Sequence, residues 1–355
     1  MTAHAITYDT AHPGDTSRLR ASLERFSVSG IRRMALVVKT EGNADANDYS
    51  REYALSAAQR AIAAYGGDAL VERTSFLFST GCEGILSPFG YLFVDVDDEG
   101  LAPSPAGRAL VFGGARSRPI LPSEIGTVAH AELVAETVET AMADLGIGPS
   151  DVGLVIVKTP LISLVPGATP VTSRLTSAFS KAVGALGAGL ALGEVAHDDI
   201  VASSMDHNLA LHARRAMVFS SSQGGDVEVL IFANRAGACG NLIIHTGSFA
   251  DMLDAGAIRQ TLRAAGCIFD EDGVVSNPET IAASFVKAGI ASNGMLRQFR
   301  TTIRTSHIDM DKHVRAAMSG MVGGMLGTCQ MFLSANTVHQ APDGGGLCAF
   351  IVKAA

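Results

Sequence analysis

The sequence predicts an α/β protein built from three similar segments. Three observations carry this. Apolar strand-like runs alternate with helical patterns along all 355 residues. Two composition shifts, at Asp97–Arg108 (DDEGLAPSPAGR) and at Thr246–Asp251 (TGSFAD), divide the chain into stretches of similar length. Two short strings then recur once in each stretch. An apolar run ending in lysine gives ALVVK at Lys39, LVIVK at Lys158 and ASFVK at Lys287. An apolar run ending in serine gives FLFS at Ser79, MVFS at Ser220 and MFLS at Ser334. The lysines are 119 and 129 residues apart, close to one third of the chain. A single V-x-x-K string is common, but three ordered pairs at this spacing point to a triplication. The expected units are 1–105, 106–248 and 249–355.

Each unit has its own helical pattern. REYALSAAQRAIAAY (51–65), AELVAETVETAMADL (131–145) and AIRQTLRAA (257–265) place apolar residues at steps of three and four. The apolar run AVGALGAGLALG between Lys181 and Glu194 is too short to span a bilayer and reads as a tightly packed buried helix. GMVGGMLG around Gly323 and Gly324 reads the same way. The lysines and serines end buried strands, where α/β folds gather functional groups.

Composition narrows the function. The net charge of −8, with no block of like charges, argues against nucleic acid as the partner. The chain has no Trp, and aromatics are only 6%, which disfavours base-stacking platforms. Five scattered cysteines without a C-x-x-C pair fit a reducing cytoplasm rather than a disulfide framework or zinc site. The N-terminal stretch has no apolar core, so a cytoplasmic protein is expected. No G-x-G-x-x-G or G-K-[ST] string is present, so no nucleotide cofactor is expected, and a dehydrogenase reading has little to stand on. The D-x-D strings at Asp95, Asp270 and Asp309 read as solvated turns or strand ends, and His339 is the histidine most worth following.

A hydroxyl becomes a nucleophile when a base removes its proton, and a lysine is a base only when neutral. Burial and nearby positive charge both favour the neutral form. If the three units converge on one centre, three lysines and at least one arginine meet there. That cluster would supply such a base and hold an electron-rich small molecule.

The strings HPGDTSRL, VVKTEGNADANDYSREYA, FSTGCEGILSP, LPSEIG, ALGAGLALGEV and HQAPDGGG resemble the cyanuric acid hydrolase/barbiturase family of ring-opening amidohydrolases. The resemblance runs from about His12 to the C-terminus. It implies three similar α/β domains with pseudo-threefold symmetry around one active site. It implies Ser220 as nucleophile and Lys158 as its base, with Ser221 and Ser222 as alternatives for the serine. Lys39, Ser79, Lys287 and Ser334 would bind substrate, as would the backbone after the serines at Thr80, Ser221 and Ala335. Arg51 and Arg315 match two family clamp arginines, and Lys181 stands where the third is usual, which keeps the charge but loses the forked donor geometry. The family glutamate that helps bind a cation is replaced by Gly289 in KAGIAS, so no tightly bound metal is expected. The implied partner is a cyclic imide or ureide, cyanuric acid first, with barbituric acid or another cyclic amide as alternatives. A non-catalytic binding protein of the same fold is the other class. A homotetramer is implied by resemblance alone.

Overall fold

The computed structural model describes residues 2–42, 48–97, 104, 106–160, 177–202, 208–220 and 225–354. Three four-stranded sheets organise them. The first contains β1 (Thr2–Asp9), β2 (Ile31–Thr40), β3 (Thr74–Thr80) and β4 (Phe89–Val96), in spatial order β1-β4-β2-β3. The second contains β5 (Arg108–Pro119), β6 (Val152–Thr159), β7 (Ala216–Ser220) and β8 (Asp226–Ala236), in order β5-β8-β6-β7. The third contains β9 (Leu242–Phe249), β10 (Ile281–Ala288), β13 (Phe332–Ala335) and β14 (Gly346–Lys353), in order β13-β10-β14-β9. A two-stranded ribbon, β11 (Met295–Leu296) with β12 (Phe299–Arg300), stands apart. Counted within each unit, the three orders are the same, 1-4-2-3. The second and third strands run parallel, and the fourth inserts antiparallel between the first and second. The triplication heard in two short strings is therefore a triplication of topology.

Helices fill equivalent places. α1 (Ser17–Leu23), α4 (Val128–Leu145) and α7 (Ala255–Ala264) join the first two strands of each unit. The parallel crossover uses α2 (Ser50–Gly66) and α3 (Asp68–Glu72) in the first unit, α5 (Ser177–Ala191) and α6 (His197–Ala202) in the second, and α8 (Met310–Leu326) in the third. No helix among the described residues is long and apolar enough to cross a membrane. The expected cut at 248/249 is corrected: β9 pairs along its length with β14, so that cut passes through a strand of the third sheet. TGSFAD looked like a boundary because it ends a strand, and strand pairing is invisible to composition. The linker expected at 97–108 lies mostly outside the described residues.

Each sheet is buried on both faces, which is why its strands read as continuous apolar runs. The outer faces pack on their own helices. The inner faces meet in one shared core. Phe232 lies at that junction, with its ring centroid 4.8 Å from Phe93 of the first sheet and 5.5 Å from Phe285 of the third. Aromatic pairs of this kind contribute roughly 0.5–1.5 kcal/mol beyond area burial. α5 is buried along nearly its whole length. Its Gly187 lies against the Ala131 backbone and Val134 of α4, where no Cβ would fit. Gly323 of α8 likewise admits Ile85, whereas Gly324 faces open space.

Candidate active site

Strand register places the three lysines. Lys39, Lys158 and Lys287 each stand near the carboxyl end of the second strand of a unit, on the face turned to the shared core. They are 1%, 5% and 0% exposed. Burial is the main cause that pulls all three amines below the ordinary lysine value, Lys39 and Lys158 to about 8 and Lys287 well down. Nearby cations push the same way, and each comes from a different unit. Arg315 of α8 acts on Lys39, Arg51 of α2 on Lys158, and Lys181 of α5 on Lys287. The three units thus hand a positive charge round the centre in a cycle. Lys39 and Lys287 also repel one another.

The lysine contacts differ. Lys39 Nζ donates to Thr80 O at 3.0 Å and to Ser79 Oγ at 3.4 Å. Lys287 stands opposite Ser334 in the ladder, but its Nζ donates across the unit boundary to Val218 O at 2.6 Å. It also sits 4.1 Å from the centre of the Phe219 ring. Lys158 donates no hydrogen bond among the described residues.

The second unit departs from the expected pairing. Lys39 faces Ser79 and Lys287 faces Ser334, but Lys158 faces Phe219. Along β7, Met217 and Phe219 enter the central core, while Ala216 and Val218 face the helices. Ser220 follows on the helix side, opposite Thr159, and its hydroxyl bonds Ser177 of α5. The expected Lys158–Ser220 contact is therefore not made. Matching MVFS to FLFS by its apolar triplet missed a one-residue slip, which flips the side chain to the other face. Ser221 and Ser222 lie outside the described residues.

The clamp cations are held by acids. Arg315 makes two bonds to Glu83, at 2.5 and 2.7 Å, beside Gly81, so it belongs to the Lys39 sub-site. Arg51 pairs with Glu52 at 2.6 Å. Lys181 Nζ lies 3.8 Å from Asp311. The D-x-D string at Asp309 divides: exposed Asp309 accepts from Lys312 N to cap α8, and only Asp311 turns inward to face Lys181. Asp95 is also buried, beside Arg33. Ala335 packs its methyl into the core of the third unit.

Two arrangements escaped the sequence. Behind Lys158, Gly126 N–H donates to His130 Nδ1. Its Nε2–H therefore donates to Thr159 Oγ1 at 2.7 Å, and Thr159 bonds Ser180 at 3.0 Å. The chain ends at Pro160 O. It ties the end of β6 to the start of α5, immediately before Lys181. Thr40 and Ser50 repeat this tie before Arg51, at 3.4 Å, without a histidine. His339 and Gln340 form the second arrangement. His339 Nδ1 meets Leu211 O at 2.5 Å and its carbonyl accepts from Ala213 N. Gln340 Oε1 accepts from Val218 N at 2.7 Å. Both residues clamp the third unit onto the second.

At Gly289 the fold leaves no room for the carboxylate that the resemblance ties to a cation. A side chain on Gly289 would collide with Thr337, whose hydroxyl donates to Gly345 O at 2.8 Å. Asp343 is taken up by the Ser292 backbone and hydroxyl. No group of three or more His, Cys, Asp or Glu residues able to hold a metal occurs among the described residues.

Fold and centre together define a threefold-concatenated α/β protein with one polar centre lined by buried lysines from every unit. The chain belongs to the amidohydrolase ring-opening family, whose sequence profile matches residues 4–353. It is 36% identical to a cyclic amide hydrolase of Azorhizobium caulinodans, over 96% of this chain and 97% of that one. It is 33% identical to a cyanuric acid amidohydrolase of Bradyrhizobium diazoefficiens, over 97% and 96%. Among solved structures it matches a cyanuric acid hydrolase described as an innovation by structural concatenation, with a TM-score of 0.89 at 30% identity over 99% of both chains.

Proposed function

We propose that the protein hydrolyses a ring C–N bond of a cyclic imide or ureide, cyanuric acid first. The observation that carries this reading is the cycle of three buried lysines, each faced by a cation from a different unit. Such a cycle suits a small planar ring with carbonyl oxygens on several sides.

Lys158 is the general base. Lys39 and Lys287 are each tied to a main-chain carbonyl, whereas the Lys158 amine donates to no partner among the described residues. The neutral amine takes the proton of a serine in the run Ser220–Ser222. The alkoxide adds to a ring carbonyl, and backbone N–H groups and cations meet the oxyanion. The C–N bond breaks, and the Lys158 ammonium returns the proton to the ring nitrogen. Water, activated by the same amine, then releases the acyl group. The other two lysine-serine sub-sites hold carbonyls without reacting.

Three single alanine variants locate the serine. The chain turns left-handed two residues after Ser79 and Ser334, at Gly81 (φ 97°) and Asn336 (φ 72°). Within the run, Ser222 is the serine followed two positions later by glycine. The nucleophile's variant should lose about a hundredfold to a thousandfold in kcat. Near-full activity in all three would sink the mechanism.

A paired ring-opening assay, following loss of ring absorbance, tests the substrate. Turnover of cyanuric acid alone supports the reading. Turnover of barbituric acid alone favours the alternative suggested by Lys181 in place of arginine. Binding without turnover of either ring favours a non-catalytic member. A homotetramer is the accompanying expectation, and light scattering of the purified protein tests it.

A further inference from the structure

Across each sheet, a row of four residues stands level on the same face, the buried lysine within it and an exposed residue at its outer end. In the first unit the row is Asp9, Phe89, Lys39, Ser79. In the third it is Ser248, Leu347, Lys287, Ser334. In the second it is Arg116, Glu228, Lys158, Phe219. The place between the outer strand and the lysine is apolar in the first and third units and a carboxylate in the second. Residues directly paired in an antiparallel ladder share a face and lie within side-chain reach. Ile156, two positions before Lys158 on β6, and its partner Leu230, two positions after Glu228 on β8, both enter the central core, which confirms the shared face. Glu228 forms an ion pair with Arg116, whose Nε also lies 3.8 Å from Asp226. The Glu228 side chain is 18% exposed.

We propose that Glu228, braced by Arg116, is a positioning residue that acts through Lys158 and makes the second lysine electrostatically unlike the other two. The proposal rests on Lys158 as base only for its catalytic consequence. The charged groups facing Lys158 are Glu228 on β8, Arg116 on β5, and Arg51 and Glu52 on α2. After burial, Glu228 is the largest influence on the amine, and it favours the ammonium; Arg51 and Arg116 oppose it. The carboxylate thus keeps Lys158 from losing its proton too early, while the arginine limits that restraint. A base poised near the working pH can both take a proton from serine and return it to the leaving nitrogen.

The test reads Lys158 itself and needs no turnover. Cyanate carbamylates neutral amines, and peptide mass mapping gives the rate at Lys158 against pH. Glu228→Gln removes the charge that favours the ammonium, so the midpoint should fall by about half a pH unit. Arg116→Gln removes an opposing charge, so it should rise by a similar amount. On the acid limb, half a unit is about a threefold rate change in opposite directions. Midpoints that stay put in both variants, or move the same way, overturn the proposal. If one variant does not fold, the other decides by the sign of its shift. The acid limb of kcat/KM should follow the same shifts. If carbamylation moves and kcat/KM does not, the role of Glu228 stands and Lys158 is not the base.

Discussion

The first and second units share a strand order yet treat their lysines differently. Lys39 sits between Phe89 and Ser79, and its amine is held by the Thr80 carbonyl. Lys158 sits between Glu228 and Phe219 and, among the described residues, is held by no carbonyl. The ties behind them differ too: Thr40 meets Ser50 at 3.4 Å, while Thr159 is locked between His130 and Ser180. The first unit spends its amine on geometry. The second fixes geometry from behind and leaves the amine available. Concatenation permits this division, because one copy can hold a ring carbonyl while another changes its chemistry.

The sharpest way to break this comparison is to remove each amine in turn. Lys158→Met should lower kcat at least about a thousandfold, and Lys39→Met roughly tenfold to a hundredfold, the lesser cost of a binding group. Equal or reversed losses, measured at saturating substrate, would put the chemistry in the first unit.

The same variants should change stability in the opposite sense. Lys158 falls from an ordinary 10.5 to about 8 in the fold. Its contribution is therefore present above pH 10.5 and lost as pH falls towards 8. At pH 7 the fold carries nearly the full cost, on the order of 3 kcal/mol. Urea unfolding at pH 7 should show Lys158→Met more stable than the parent, and the gain should shrink above pH 9. A variant that is both inactive and less stable would mean that the lysine is not a strained base.

His130 sharpens the comparison at acid pH. Burial lowers it from 6.5 to about 4, so its neutral form favours the fold above 6.5, and that stability is lost as pH falls to 4. The loss is at most about 3 kcal/mol. It should vanish in the difference between parent and His130→Gln unfolding curves if the histidine is not the cause.

The smallest effect separates the two hydroxyl ties. Thr159→Val strands the buried His130 N–H and should cost about 1–3 kcal/mol, whereas Thr40→Val should cost about 1 kcal/mol or less. Similar losses would remove the distinction drawn between the units.

Much of the architecture was legible. Apolar triplets before Lys39, Lys158 and Lys287 announced buried strand ends, and helical periodicity located α2, α4 and α7. The motifs also matched Arg51, Lys181 and Arg315 to the family's clamp positions, and the structure sets all three in crossover helices. Three things were not legible. The cut at 248/249 failed because β9 belongs to the sheet it pairs with, not to the run it follows. Ser220 was set by string similarity, and a one-residue slip of β7 against β6 cannot be seen in one strand. Glu228 and His130 gave no motif at all, and Asp311 only a D-x-D string read as solvated, since their meaning lies in what stands opposite.

By itself, the sequence determined three units, their α/β character, and the buried lysine that ends one strand in each. Those properties are written along the chain, in periodicity, burial and repetition. Tertiary structure alone decided which cation faces which lysine, that Glu228 stands beside Lys158, and that Lys287 reaches the second unit. These depend on register and on contacts between residues 69 or more positions apart, which arise when three inner faces close on one core.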